Sequence, residues 1–379
     1  MYERWVKAAA AGQVSGAVLL DLSAAFDLVD PELLINKLRI YGLEEDFICW
    51  ISSYLSDRYQ AVWLDHVLSD FLHCEVGVPQ GSILGPLLFL IFFNDLPATL
   101  ESSVDSYADD TTVTASGKTV QEISSILTRD CSKVSDWMRS NKLKINPDKT
   151  HLLTLGTTER LRNLSEKVVV KMDGITLDED EENSELLLGC YIQANLKWKK
   201  QVQVTVNKLK KRLAGLTKIK FIPIRRTITE GIFNSVLVYF LPLYGGLDVG
   251  DIKDLQVIQN KAAQIVTCSP PRAPRISMYE KLGWLTVNQL VFYHTVNLVF
   301  KIRSSKEPET LYSILAVDSR NSRIMIPNVD LSLARKSFSI RGAECWNRLP
   351  LNTRKTLKIS QFKKLARKWI LSNIPRFLE

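Results

Sequence analysis

The chain has 379 residues, 46% hydrophobic and 24% charged, a composition that excludes a disordered protein and leaves length for two or three domains. Its longest apolar run, 83–93, is broken by Gly85-Pro86 and too short to span a bilayer; no secretory signal is read at the start; six scattered cysteines without a C-x-x-C spacing argue against a zinc site or a disulfide framework and fit a reducing compartment. The net charge of +8 hides an asymmetry, since residues 1–190 carry 16 Lys and Arg against 30 Asp and Glu (net −14) and residues 191–379 carry 33 against 11 (net +22), which reads either as a polyanion-binding half serving a metal-binding half or as a solvated basic surface.

In chain order, Tyr2 to Ala11 leans helical and Gly12 ends it. The apolar run Ala17 to Leu20 predicts a strand covered on both faces, with Asp21 at its C-terminal end, where a carboxylate needs a partner or a metal. Pro31 opens a helix through Tyr41 capped by Gly42, and Glu44 to Tyr54 repeats the pattern. Tyr59 to Leu64 and Phe71 to Val76 predict a hairpin joined through residues 65–70. Gly77-Val78-Pro79-Gln80-Gly81-Ser82 is a glycine-flanked loop entering a helix that has Pro86 in its first turn and runs to about Asn94. Such a loop can cradle a phosphate or a base pair, or simply turn tightly. Ser106-Tyr107-Ala108-Asp109-Asp110-Thr111, between two apolar-leaning runs, predicts the tip of a tight hairpin. Adjacent carboxylates there repel unless a cation sits between them, although aspartate also favours turns for its own sake.

Thr119 to Asn141 predicts a long amphipathic helix whose stripe of Val120, Ile123, Ile126, Leu127, Val134 and Trp137 is core. Leu143 to Thr150 is a loop leading to a strand, His151 to Leu155; Val168 to Met172 turns back through Asp173-Gly174; Glu179 to Glu182 is an acidic solvated turn; Leu186 to Ile192 is an apolar strand carrying Gly189. From Lys197 the chain turns helical and basic, with a helical segment to about Gly246, then a second basic, helix-rich segment from Asp251 in which residues 269–274 mark a hinge.

Asp21 at a strand end and Asp109 and Asp110 at a hairpin tip converge if their strands are neighbours in a sheet, the arrangement that two-metal nucleotidyl transfer needs. With Leu20-Asp21-Leu22-Ser23-Ala24-Ala25-Phe26-Asp27, then Gly77 to Ser82, then Tyr107-Ala108-Asp109-Asp110, the chain resembles the reverse transcriptases (RNA-directed DNA polymerases) of non-LTR, LINE-type retrotransposons of the jockey-like kind. The resemblance covers residues 17 to about 192. It is looser from Trp198 onward, where it rests on basic helical character and on Ala343 to Pro350.

The resemblance implies an α+β right-hand polymerase: a palm over residues 1–192, a helical thumb over 193–250 and a basic α-rich region over 251–379. Asp21, Asp109 and Asp110 would be catalytic metal ligands for two Mg²⁺ ions, with Mn²⁺ as an alternative. Ala24 and Ala25 would sit near the triphosphate. Phe26 would guard the sugar 2′-position or act as a core aromatic. Gln80 and Gly81 would meet the incoming nucleotide and template pair. Lys149 would protonate the leaving pyrophosphate or be an ordinary loop lysine. Leu188 and Gly189 match the primer grip. Implied partners are an RNA template, a DNA primer, dNTPs and an element-encoded RNA-binding protein, in a cytoplasmic ribonucleoprotein and in the nucleus, with no membrane. The family places fingers and often an endonuclease upstream, and about 20 residues precede Asp21; the rival expectation is therefore a truncated remnant, weak or inactive, that only binds RNA.

Overall fold

A computed structural model describes residues 1–177, 179, 183–218, 221–222, 225–318, 322–326 and 332–373. The chain divides into two units, one made of Met1 and residues 11–188, the other of residues 2–10 and 189–379.

The first unit is built on a four-stranded antiparallel sheet. An N-terminal helix, α1 (Tyr2–Ala10), precedes the first strand, β1 (Val14–Leu20), which is buried along almost its whole length. That burial follows from its near-continuous apolar sequence, which suits an inner strand. Asp30 accepts the Leu33 N–H at 3.0 Å to cap α2 (Pro31–Ile40), and takes the Lys142 ammonium on its other oxygen at 2.5 Å. Helix α3 (Glu45–Leu55) follows.

The hairpin expected next is more finely divided than its sequence indicates. Outer strands β2 (Tyr59–Gln60) and β5 (Leu72–His73) pair, and within them β3 (Trp63–Leu64) pairs with β4 (Val67–Leu68). The turn is thus Asp65-His66 rather than the whole of 65–70. Both residues have positive φ (46° and 68°), the backbone that a two-residue hairpin turn demands. Helix α4 (Leu84–Phe93) begins two residues before Pro86, because the Ser82 hydroxyl accepts the Gly85 N–H at 2.9 Å; proline is tolerated in a first turn, whose N–H groups have no helical partner.

Strands β6 (Ser103–Tyr107) and β7 (Asp110–Gly117) form the expected hairpin, and helix α5 (Val120–Ser140) runs between caps at Thr119 and Asn141. With β8 (His151–Leu155) the sheet order is β6-β7-β1-β8. The central pair is β1 with β7, in a register that sets Leu20 opposite Thr111. One core joins β1, β7 and the apolar faces of α2 to α5, with Trp137 edge-on to Phe92 and Phe93.

The expected strand from Leu186 to Ile192 is interrupted. Strands span Ser184–Leu187 and Cys190–Gln193, while Leu188 (φ 49°) and Gly189 (φ 76°) between them are both left-handed, which no continuous strand permits. The acidic turn expected at Glu179 to Glu182 falls, apart from Glu179, outside the described residues.

The second unit is helical, and among its described residues one apolar cluster is centred on the helices Lys199–Lys218 and Val249–Thr267 and another on Val287–Ser305, Phe338–Arg348 and Ile359–Ser372. It also holds a small strand pair, Val317–Asp318 with Arg323–Ile324, that the helical sequence pattern does not reveal. Helix α1 belongs to this unit: Glu3 accepts the N–H groups of Phe338 (2.7 Å) and Ser339 (3.2 Å), capping the Phe338–Arg348 helix from another element. No helix among the described residues is long and apolar enough to cross a membrane.

Candidate active site

The carboxylates meet at one end of the sheet because of register. Leu20 faces Thr111, so one step further along the ladder brings Asp21 opposite Asp110. The hairpin closes through two residues, Ala108 and Asp109, since Tyr107 pairs with Asp110; Ala108 has a φ of 54°, which tightens the turn. A hydrogen bond of 3.0 Å from the Thr111 hydroxyl to the Ser106 hydroxyl clips the strands beneath the tip. Asp21 and Asp109 are half-buried and Asp110 is exposed, yet its carboxyl is crowded. Loss of solvent around it, and then the charges of Asp109 and Asp21, push its pKa above the usual carboxylate range.

The lysine-bearing loop lies against the same strand end. The Asn146 N–H donates to the Asp21 carbonyl at 2.8 Å, the Ser23 N–H donates to the Lys144 carbonyl at 2.9 Å, and Leu22 bridges Ile145. Lys149, at the end of a short 3₁₀ turn (Pro147–Lys149), is exposed. The loop is therefore fixed beside Asp21 through its backbone, with the Lys149 side chain free to face solvent.

After Asp21 the chain makes a second left-handed turn at Ala24 (φ 50°), then a 3₁₀ turn over Ala25–Asp27. Ala25 is buried and Phe26 half-buried, its ring stacked on Phe89 with centroids 4.5 Å apart. The glycine-flanked loop is zipped to this stretch: the Gly77 N–H donates to the Val29 carbonyl (2.7 Å) and the Val78 N–H to the Phe26 carbonyl (2.9 Å). Gln80 donates to Asp27 at 2.8 Å, and Gly81 (φ 78°) stands in open space. All the expected site residues up to Lys149 thus gather in the first unit. Leu188 closes that unit and Gly189 opens the other.

Among the described residues no three His, Cys, Asp or Glu side chains form a group able to hold a metal ion by themselves. The donor set nevertheless fits a hard divalent cation, because it is all carboxylate oxygen and its self-repulsion at Asp110 is what a cation relieves. Mg²⁺ sites of this kind complete their coordination with water and substrate phosphate rather than with a closed protein cage.

One supporting residue escapes sequence reasoning. Asp130 lies between Leu127 and Val134 of the α5 stripe and is fully buried. Its carboxylate accepts the Ser102 N–H at 2.8 Å and the Glu101 N–H at 3.4 Å, with Lys133 at 3.5 Å. This anchors the segment that leads into β6 and hence the Asp109 tip. Burial alone would raise its pKa; the hydrogen bonds from Ser102 and Glu101 and the Lys133 charge overcome that and hold it below the usual range. A charged residue in an apolar helical stripe was the available signal. Asp130→Ala is expected to lower unfolding free energy by about 1–3 kcal/mol at neutral pH, since two part-buried N–H groups lose their acceptor. Because the folded pKa is the lower one, this contribution holds above the unfolded value near about 3.9 and fades as pH falls through the folded value. Denaturant titrations of both proteins from pH 7 downward check it: the two stability curves should converge in acid.

Comparison with known proteins adds identity to this geometry. The family described as reverse transcriptase (RNA-dependent DNA polymerase) matches residues 4–223. The chain is 25% identical over 345 residues to the probable RNA-directed DNA polymerase from transposon BS of Drosophila melanogaster, covering 85% of this chain and 35% of that protein. It is 26% identical over 268 residues to the RNA-directed DNA polymerase from mobile element jockey of the same species, covering 66% and 28%. The chain thus spans about a third of the length of these curated relatives. Among solved structures, apo telomerase from Candida Tropicalis aligns at a TM-score of 0.39 and 10% identity, covering 98% of this chain and 56% of that one.

Proposed function

The chain belongs to the reverse transcriptase (RNA-dependent DNA polymerase) family, and on that premise we propose that it carries out RNA-templated DNA synthesis for a jockey-like non-LTR retrotransposon. The observation that supports this best is the convergence of Asp21, Asp109 and Asp110 at one end of the β1–β7 pair. Two divalent ions, Mg²⁺ by preference, would supply Lewis-acid activation of the primer 3′-oxygen and neutralise the leaving pyrophosphate. Asp21 and Asp109 would hold both, with Asp110 flanking. The turn at Ala24-Ala25 would lie along the triphosphate, Gln80 and Gly81 against the nucleotide and template pair, and Lys149 would give its proton to the departing pyrophosphate. Leu188 and Gly189 would steady the primer. The basic Lys199–Lys218 helix would grip primer–template phosphates, a salt-dependent attraction.

On this reading the palm covers 1–192, the thumb 193–250 and the basic C-terminal region 251–379. An RNA template, a DNA primer, dNTPs and an element-encoded RNA-binding protein are its partners, in the cytoplasmic ribonucleoprotein and the nucleus. The test is extension of a DNA primer on an RNA template with dNTPs and Mg²⁺. Chelator-sensitive extension supports the reading, and RNA binding without extension leaves a binding remnant in its place.

Phe26 carries a separate expectation about the sugar. Its ring is braced by Phe89, so it can act as a fixed wall rather than a movable side chain. Phe26→Val is expected to raise the ratio of ribonucleotide to deoxynucleotide incorporation by about 10- to 100-fold, the discrimination a shaped pocket affords. Single-nucleotide incorporation with matched rNTP and dNTP measures it; an unchanged ratio would return Phe26 to a packing role.

A further inference from the structure

Asp27 and Gln80 are 53 residues apart in sequence and both exposed, yet their side chains meet at 2.8 Å. The backbone leaves them little choice. Asp27 ends the 3₁₀ turn that follows Asp21, and Gln80 follows a loop tied to that turn by the hydrogen bonds from Gly77 to Val29 and from Val78 to Phe26. Gly77 lies so close that a Cβ there would come within 2.8 Å of the Asp27 carbonyl oxygen. The two residues also line one open cavity of about 980 Å³, together with Arg58, Tyr59 and His73.

The chemistry of the pair fixes an orientation. An ionised carboxylate is an acceptor only, so the Gln80 amide must turn its NH₂ toward Asp27. The Gln80 carbonyl oxygen is then left as an acceptor with no partner among the described residues. Without the carboxylate the amide could rotate by half a turn and present NH₂ at the same place. Phosphate oxygens accept hydrogen bonds and do not donate them at neutral pH, so a carbonyl presented there suits a sugar hydroxyl or a base amino group instead.

We infer that Asp27 is a positioning residue that locks the Gln80 amide, so that Gln80 offers the incoming nucleotide a carbonyl acceptor aimed at a hydroxyl or amino donor and not at the triphosphate. This rests on the reading that Gln80 meets the nucleotide. Asp27 touches no reacting atom and acts through Gln80.

Equilibrium binding of a matched dNTP to the protein on an RNA template with a dideoxy-terminated primer tests this without chemistry; incorporation kinetics on an extendable primer run beside it. Asp27→Ala is expected to weaken dNTP binding about tenfold and raise KM by a similar factor, with kcat changed less than threefold. Gln80→Ala should do the same, and the double variant should be no worse than Gln80→Ala alone, because Asp27 has no route of its own. Asp27→Asn can donate as well as accept, so it no longer fixes the Gln80 amide and should weaken dNTP binding much as Asp27→Ala does. Unchanged dNTP affinity in Asp27→Ala, or losses that add in the double variant, would overturn the inference while leaving the polymerase reading intact. If the unaltered protein bound no dNTP on the primed template, both would fall together.

Discussion

Asp109→Asn is expected to abolish RNA-templated primer extension, lowering the rate by on the order of 10³-fold or more while leaving RNA binding and melting temperature in place. The loss follows from charge. Divalent ions stabilise the transition state of nucleotidyl transfer by several kcal/mol, and each 1.4 kcal/mol forfeited costs about tenfold in rate. An amide at the hairpin tip keeps the shape of the turn but gives up the negative charge that would hold the ion. Stability should not suffer, because Asp109 crowds its neighbours: the Asp110 pKa is raised by loss of solvent and by the charges of Asp109 and Asp21. A carboxyl whose pKa is raised on folding costs stability once ionised, so removing a nearby charge relieves the fold at neutral pH. Primer extension, filter binding of the RNA and a thermal melt on the same preparations check all three claims. Full extension by Asp109→Asn would remove it from the catalytic set, and a collapsed melt would make it a structural residue.

Gly77→Ala is expected to be strongly destabilising. Gly77 has a φ of 87°, a region that costs a residue with a Cβ about 1–3 kcal/mol. Its Cβ would also lie 2.8 Å from the carbonyl oxygen, 2.9 Å from the Cα and 3.0 Å from the carbonyl carbon of Asp27, all backbone atoms that cannot swing aside. Overpacking against such a wall costs about another 1–3 kcal/mol. For a unit of this size the sum corresponds to a fall of roughly 5–15 °C in Tm. Gly81→Ala is the control, since φ is 78° there but nothing lies within 4 Å, so only the backbone term remains. Calorimetry on the two variants separates strain from collision: equal losses would mean that the loop yields and that the close approach is not obligatory. Because the loop carries Gln80 and is zipped to the turn after Asp21, Gly77→Ala should also depress extension at temperatures where the protein stays folded.

Much of the fold was legible because the signals are local. Near-continuous apolar residues in β1, the stripe in α5 with Thr119 and Asn141 at its ends, and the helix starting at Pro31 each state their conformation within a dozen residues. The Ser103–Gly117 hairpin reads the same way, since polar turn residues separate two alternating runs. Departures came where a few backbone angles overrule the pattern. Leu188 is apolar and sits in an apolar run, yet its left-handed φ ends the strand; Asp65 and His66 together shorten a turn that composition spreads over six residues. Asp130 went unread in the α5 segment, and only the Ser102 and Glu101 N–H groups reveal what it is for.

The sequence by itself determined which chemistry is present: three carboxylates in order, a glycine-flanked loop, a lysine-bearing loop and a basic half, each recognisable from residue types and short spacings. Tertiary structure alone decided which of them meet. That Asp21 comes near Asp110, across 88 intervening residues, depends on the register of β1 against β7, which sets Leu20 opposite Thr111. The hydrogen bond from Gln80 to Asp27, the cap that Glu3 places on the Phe338–Arg348 helix and the anchor at Asp130 are equally long-range. Contacts of that kind leave no periodic trace in the chain, because their partners are chosen by the packing of whole elements and not by the residues beside them.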